Sequence, residues 1–310
     1  MTAPLRLGTR ASALALAQSG HVASALRGLG ADVEIVQLQT PGDVDSRPLP
    51  GRAHEGIFVS SVRDALLEGS IDFAVHSFKD LPTGPAPELV VAAVSPRAAP
   101  RDVLVSRADL SGRGIEGLPA GARVGTCSSR RAAWVHRHRP DVFVVPVRGN
   151  IDERIARVVA GEYDAIVLAA AGLNRLACFT PARESMSVED LVPAPAQGAL
   201  ALECRAGDAT TRRLLRMLDH EGTHLSALAE REVLAAIDPT DLLPVGAVAT
   251  LRAGLLHLLV DICDPDGCNR TVLRASASVP RGAIDAARAL GAQTAVALLR
   301  SHSQTAPALA

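Results

Sequence analysis

The chain has 310 residues, 48% of them apolar, and a formal charge of -1. That is enough apolar material for two or three domains of roughly 100 residues each. The near-zero charge and only seven Phe, Tyr and Trp residues supply neither the basic face nor the stacking platforms that nucleic-acid binders use. No apolar run reaches the roughly 18 residues of a membrane span, strand-like sequence begins by Leu5, and no signal-peptide pattern is present, so a cytoplasmic protein is expected. The five cysteines (127, 178, 204, 263 and 268) are odd in number and form no C-x-x-C pair, which reads as free thiols in a reducing compartment.

Leu5 to Thr9 reads as a strand, and Arg10-Ala11-Ser12 leads into a helix carrying Leu14, Leu16, Val22, Leu26 and Leu29, with Ser12 as its N-cap. Val33 to Leu38 is a second strand. Residues 40 to 56 form a polar loop punctuated by Pro and Gly, longer than ordinary connections and of the kind that is a lid or disordered. A helix over 57–68 follows, then the strand Phe73-Ala74-Val75, which runs into polar residues and stops at Pro82. Alternating strands and helices predict a mostly parallel sheet covered on both faces.

Pro82, Pro85, Pro87, Pro96 and Pro100 mark a composition shift read as a crossing into a second domain, where the same scheme restarts. Arg123 to Gly125 is a strand, 126–129 a turn, and Arg130 opens a helix. Phe143 to Val147 is a strand ending in Arg148-Gly149-Asn150, ahead of a helix through Ile151, Ile155 and Val159; Tyr163 to Ala170 is a further strand ending at Gly172-Leu173-Asn174-Arg175. Pro193, Pro195 and Gly198 signal a second crossing, and the strand Ala199 to Cys204 returns to the first domain. Two crossings describe a hinged pair of α/β lobes with a cleft. The expected boundaries are 1–96 with 198–216 for the first domain, 97–197 for the second and 217–310 for a small α+β third. A helical stretch from 209 to 237 leads into that third domain, which holds three strands, a final helix near 283–300 and a frayed tail over 301–310.

Lys79 is the only lysine; every other basic side chain is an arginine. Wholesale drift to Arg that spares one Lys points to a site needing a compact ammonium rather than a planar fork. Ser77, Lys79 and Asp80 fall at the carboxyl end of a strand, where open α/β sheets place ligands. Arg10, Arg130, Arg131, Arg148, Arg154 and Arg175 fall in turns or first helical turns, together with Ser12, Thr126 and Ser128. Forked guanidiniums and helix N-termini both favour anions. A ligand with several carboxylates fits better than a phosphate ester, because no G-x-x-x-x-G-K loop is present. Asp80, set among these cations, is placed to stabilise a cation formed on the ligand or to serve as an ion-pair partner for a neighbouring Arg. Arg137, Arg139 and Arg157 read as solvated. His220-Glu221-Gly222-Thr223-His224 matches H-E-x-x-H, but Gly222 weakens the helix and no third ligand is evident, so a capped or solvent-facing helix start is expected and no metal.

Six segments together resemble hydroxymethylbilane synthase, also called porphobilinogen deaminase: Leu-Arg-Leu-Gly-Thr-Arg-Ala-Ser-Ala-Leu-Ala-Leu-Ala-Gln (5–18), Val-His-Ser-Phe-Lys-Asp-Leu-Pro (75–82), Gly-Thr-Cys-Ser-Ser-Arg-Arg (125–131), Val-Arg-Gly-Asn-Ile-Asp-Glu-Arg (147–154), Tyr-Asp-Ala-Ile-Val-Leu-Ala-Ala-Ala-Gly-Leu-Asn-Arg-Leu (163–176) and Ala-Gln-Gly-Ala-Leu (196–200). The resemblance runs in order from residue 5 to about 250. It implies two lobes like type II periplasmic binding proteins, a small C-terminal α+β domain, and a reaction in which porphobilinogen loses ammonia and pyrroles join head to tail. It assigns Asp80 to stabilising a pyrrole cation and Lys79 and Ser77 to ligand carboxylates. Arg10, Ser12, Gln18, Thr126, Ser128, Arg130, Arg131, Arg148, Arg154, Arg175 and Gln197 would line the site.

Two segments depart from the family pattern. The family attaches a dipyrromethane primer by a thioether to a cysteine in a Gly-Gly-Cys loop; here the loop reads Pro239-Thr240-Asp241-Leu242-Leu243-Pro244-Val245-Gly246, with Asp241 in the cysteine's place. The family's Lys-Gly-Leu-Phe lid segment reads Glu55-Gly56-Ile57-Phe58, and both lid lysines are gone. The expectation is a divergent transferase that deaminates porphobilinogen or a similar carboxylated pyrrole through an azafulvene-type cation. It would have no covalent cofactor, no metal, no nucleic-acid or membrane partner, and would be a monomer. An ordinary synthase with a non-covalent primer and a non-catalytic pyrrole- or polycarboxylate-binding protein are the alternatives.

Overall fold

The structure is a computed structural model that describes residues 3–38, 59–110, 112–178, 180–237 and 243–305. Its elements begin with β1 (Leu5–Arg10), α1 (Ala13–Gly28), β2 (Val33–Leu38), α2 (Ser60–Leu67), β3 (Phe73–Ser77), a 3-10 turn at Phe78–Asp80 and β4 (Leu89–Val94). They continue with β5 (Asp102–Ser106), β6 (Arg123–Gly125), α3 (Ser129–His138), β7 (Phe143–Val145), α4 (Ile151–Val159), β8 (Ala165–Ala169), α5 (Ala170–Leu176) and β9 (Ala182–Ser185). The chain closes with β10 (Leu200–Arg205), α6 (Ala209–Arg216), α7 (Glu221–Ile237), β11 (Val245–Arg252), β12 (Leu255–Ile262), β13 (Thr271–Ser278) and α8 (Ile284–Thr305). It divides into two compact units, Met1–Ala98 with Gly198–His224 and Ala99–Gln197 with Leu225–Ala310.

The first unit is built on a five-stranded sheet of order β2-β1-β3-β10-β4. β1, β2 and β3 run parallel, and β10 lies antiparallel between β3 and β4. The second unit repeats the plan in the order β7-β6-β8-β5-β9: β6, β7 and β8 are parallel, and β5 lies antiparallel between β8 and β9. In both sheets the inserted antiparallel strand is the first strand after a crossing. Central strands covered on both faces have to be apolar throughout; accordingly Phe73 and Ala74 are fully buried, and in β10 everything from Leu200 to Cys204 is buried. The second unit also holds an antiparallel sheet, β11-β12-β13, with a core of its own around Val233, Ala247, Leu256, Leu258 and Leu298. This is the mixed α/β architecture with a small C-terminal α+β region that the element order predicts.

Several local readings need correction. β4, β5 and β9 fall where the prolines suggested a plain crossing or no element, although β4 and β5 are short apolar runs of strand length. Gly172 to Arg175 is no strand-end turn but part of α5, which places Arg175 in that helix's last turn; the Ala-rich lead-in favours helix. The helical stretch 209–237 is broken at 217–220, where His220 Nδ1 accepts from Thr223 N at 3.1 Å and caps α7. The final helix extends through Thr305 instead of fraying from 301. Arg139 is not simply solvated: it donates to Ile115 O and Leu118 O and pairs with Asp141. Arg137 likewise pairs with Asp190 at 3.1 Å.

Candidate active site

β1 and β6 hold equivalent places in their sheets and carry the same dipeptide at or next to their carboxyl ends, Gly8-Thr9 and Gly125-Thr126. A Cβ on Gly125 would lie 2.8 Å from Ile166 Cγ2 and 3.0 Å from Tyr163 Cδ1 and Val147 Cγ1, and one on Gly8 would run into the Ile71 side chain. Both threonines are buried, at 2% and 5% exposure. Each strand is followed by a serine N-cap: Ser12 Oγ accepts from Ala15 N at 3.4 Å, and Ser128 Oγ accepts from Arg131 N at 3.5 Å. The shared Gly-Thr followed by Ser was a legible signal of this structural repeat.

In the first unit the residues gather at the carboxyl ends of β1 and β3, which pair in parallel. Gln18, buried on α1, donates from Nε2 to Ser77 Oγ at 2.8 Å. Phe78 anchors the following turn: the residue is 2% exposed and its N–H donates to Ala199 O at 3.0 Å. That anchoring leaves Lys79 half-buried and Asp80 exposed, with Arg10 half-buried at the end of β1. Beneath the turn, His76 Nε2 lies 3.2 Å from Glu203 Oε2, and Arg63 Nη2 donates to Glu203 Oε1 at 2.7 Å. Burial opposes ionisation of Glu203, but His76 and Arg63 more than offset it and bring the carboxyl down to about 2.

In the second unit Thr126, Ser128, Arg130 and Arg131 sit at the start of α3. Arg130 and Arg131 fall in the first turn of that helix, as their sequence context suggests, but their side chains are buried against other protein groups. Both are 8% exposed, and both donate to Asp102, at 2.6 Å and 2.7 Å. Gln197 Nε2 joins the same carboxylate at 2.9 Å. Burial works against the charge on Asp102, yet the two guanidiniums hold its carboxyl well below the usual range. Nothing in the sequence singled out Asp102; its only signal is an acid opening the buried run Val103-Leu104-Val105. Arg148, half-buried, precedes Gly149, whose φ of 104° is left-handed, and Asn150, which closes a capping box with Glu153 on α4. Arg154 Nε donates to Gly149 O at 2.7 Å. Arg175 is half-buried, and burial pulls its guanidinium below the usual value.

Asp241 and the segment Glu55 to Phe58 lie outside the described residues. Among the described residues no group of three or more His, Cys, Asp or Glu is placed to hold a metal; His220 is used as a cap, and His224 pairs with Asp219 at 2.9 Å. The five cysteines are free. Burial pushes Cys263 up to about 12 and Cys204 up to about 11, which keeps both as inert thiols at neutral pH. Cys127 is exposed, and its Sγ donates to Val147 O at 3.2 Å.

Residues 5–213 match the family described as porphobilinogen deaminase, dipyromethane cofactor binding domain. The chain belongs to the porphobilinogen deaminase family. Among its relatives, porphobilinogen deaminase of Nocardia farcinica is 46% identical over 252 residues, covering 81% of this chain and 72% of the relative. Porphobilinogen deaminase 1 of Streptomyces coelicolor is 44% identical over 305 residues, covering 95% of this chain and 94% of its own. The Leifsonia xyli enzyme is 44% identical over 306 residues, with 96% and 92% covered. Among the described residues no helix is long and apolar enough to cross a membrane.

Proposed function

We propose that the chain is a transferase of the hydroxymethylbilane synthase type that deaminates porphobilinogen, or a closely similar carboxylated pyrrole, without a covalent dipyrromethane primer. The observation that carries this reading is the Ser77-Phe78-Lys79-Asp80 turn, kept intact at the end of β3 with Asp80 exposed, in a chain whose primer loop has Asp241 in place of cysteine. Asp80 stabilises the cation left when the aminomethyl C–N bond breaks and nitrogen departs as ammonia. The α-carbon of an acceptor pyrrole then forms the new C–C bond and gives up its proton. Lys79 and Ser77 take ligand carboxylates, as do Arg10, Ser12, Arg148, Arg154 and Arg175, with Thr126 and Ser128 at the start of α3. Gln18 holds Ser77 in place at 2.8 Å.

The dipyrromethane group that the family carries needs a thiolate for its thioether, and a carboxylate cannot make that bond. Cys204 and Cys263, pushed up to about 11 and about 12, do not replace it. The protein works in the cytoplasm as a monomer, with domain limits at 1–96 with 198–216, 97–197 and 217–310.

Purified protein incubated with porphobilinogen is assayed for ammonia and for porphyrin after acid oxidation, and the resting protein is weighed intact. The expected result is ammonia from a protein of unmodified mass, with Asp80→Ala lowering the rate by about 10²- to 10³-fold. A mass increase matching two pyrroles would overturn the absence of a covalent primer. Porphyrin from an unmodified protein would mean an ordinary synthase with a free primer, and binding without ammonia would mean a pyrrole-binding protein.

A further inference from the structure

Three residues that the family resemblance assigns to the ligand converge instead on one carboxylate. Asp102 is fully buried, and Oδ2 accepts from Arg130 Nη2 at 2.6 Å while Oδ1 accepts from Arg131 Nη2 at 2.7 Å and Gln197 Nε2 at 2.9 Å. The second terminal nitrogen of each arginine is also in use: Arg130 Nη1 donates to Val192 O and Arg131 Nη1 to Val167 O, both at 2.9 Å. Gln197 Nε2 reaches Pro100 O at 2.7 Å as well. Stability alone does not call for this arrangement, because a buried ion pair is often matched by apolar packing of the same volume.

Two features point beyond scaffolding. One carboxylate shared by two guanidiniums leaves a positive charge in excess, which acts over a longer range in a buried, low-dielectric setting than in water. Arg131 Nε is also buried and has no hydrogen-bond partner among the described residues, a donor whose cost is relieved when an acceptor arrives. Both features belong to the start of α3, where Ser128 Oγ accepts from Arg131 N.

We propose that Asp102 is a positioning residue: it locks Arg130 and Arg131 at the start of α3 with one positive charge in excess, so that a ligand carboxylate meets a rigid cationic site. The ligand class rests on the deaminase reading above. Asp102 touches no ligand and acts through the arginines.

The test uses full-length protein and the variants Asp102→Asn, Arg131→Gln and their combination. Asp102→Asn is expected to raise KM for porphobilinogen about 30-fold or more while kcat stays within about threefold. In the double variant KM should be no worse than in the more impaired single variant, since both changes break one unit. In ¹⁵N-labelled protein, slowly exchanging Arg130 and Arg131 guanidinium N–H signals are expected in the wild type and should be lost in Asp102→Asn. Unchanged signals, an unchanged KM, or effects that multiply in the double variant would each overturn the proposal. A wild type that releases no ammonia sinks the deaminase reading; the arginine signals, and the shift of Arg131 Nε–H on adding porphobilinogen, then decide the positioning role without turnover. If Asp102→Asn does not fold, the charge-balanced double variant supplies the Arg130 signal, and its persistence would overturn the idea.

Discussion

Each five-stranded sheet receives one antiparallel strand from a crossing, and each such strand carries a buried carboxylate: Glu203 on β10 and Asp102 on β5, at 1% and 0% exposure. Their uses differ because of where they sit. Glu203 lies in the body of β10, opposite Ala74 of β3, and binds Arg63 of α2 and His76 of β3. Asp102 is the first residue of β5 and binds Arg130 and Arg131 in the first turn of α3. One sheet plan therefore carries a carboxylate that ties strand to helix in the body of one strand, and a carboxylate shared by two arginines of a helix start at the end of the other.

The largest effect that bears on this contrast comes from Glu203→Ala. It leaves the half-buried Arg63 guanidinium without its acceptor and the buried His76 without its ion-pair partner, and should cost about 3–5 kcal/mol, read as a fall in the urea midpoint. The milder Glu203→Gln should leave KM for porphobilinogen within about twofold; a rise as large as that from Asp102→Asn would erase the distinction between the two carboxylates.

Acid sharpens the same point. Glu203 has a folded value of about 2, below its ordinary value of 4.5, so the folded state favours the ionised form. Its contribution, roughly 3 kcal/mol by linkage, is complete above about pH 4.5 and is lost as pH falls through about 2. Urea midpoints measured from pH 6 to pH 2 should converge for wild type and Glu203→Gln at the acid end. Parallel curves would mean that Glu203 is not ionised in the fold.

The paired glycines give a smaller effect. Gly125→Ala forces its new methyl against Ile166, Tyr163 and Val147, and should cost about 1–3 kcal/mol. Gly8→Ala overlaps chiefly the Cδ1 end of the buried Ile71 side chain, with its Cγ2 and Cγ1 at 3.2 and 3.3 Å, and should cost less because one side chain rather than three has to give. Thermal melting of both variants tests the order. Smallest are the caps: Ser12→Ala and Ser128→Ala should each cost about 1 kcal/mol, a shift of a few degrees in Tm, and equal losses would support treating the two strand-to-helix turns as equivalents.

The Ser77-to-Asp80 turn was legible in the chain because its causes are local: an apolar strand, a polar turn, a stopping Pro82 and a lone lysine all lie within a dozen residues. The Ser12 cap was legible for the same reason, since a capping hydroxyl acts three residues away. Arg130 and Arg131 could be recognised as cations at a helix start, but not as partners of a buried acid. Asp102 precedes them by 28 and 29 positions and Gln197 by 95, and β5 itself was hidden among prolines.

What this sequence determined by itself was therefore the alternation of elements, the repeated plan, the family and the residues whose chemistry is set by their immediate neighbours. What only the tertiary structure decided was which charges neutralise one another. Pairing depends on which strands and helices become neighbours through the sheet order, and a buried carboxylate takes its role from side chains that the chain brings to it from far away.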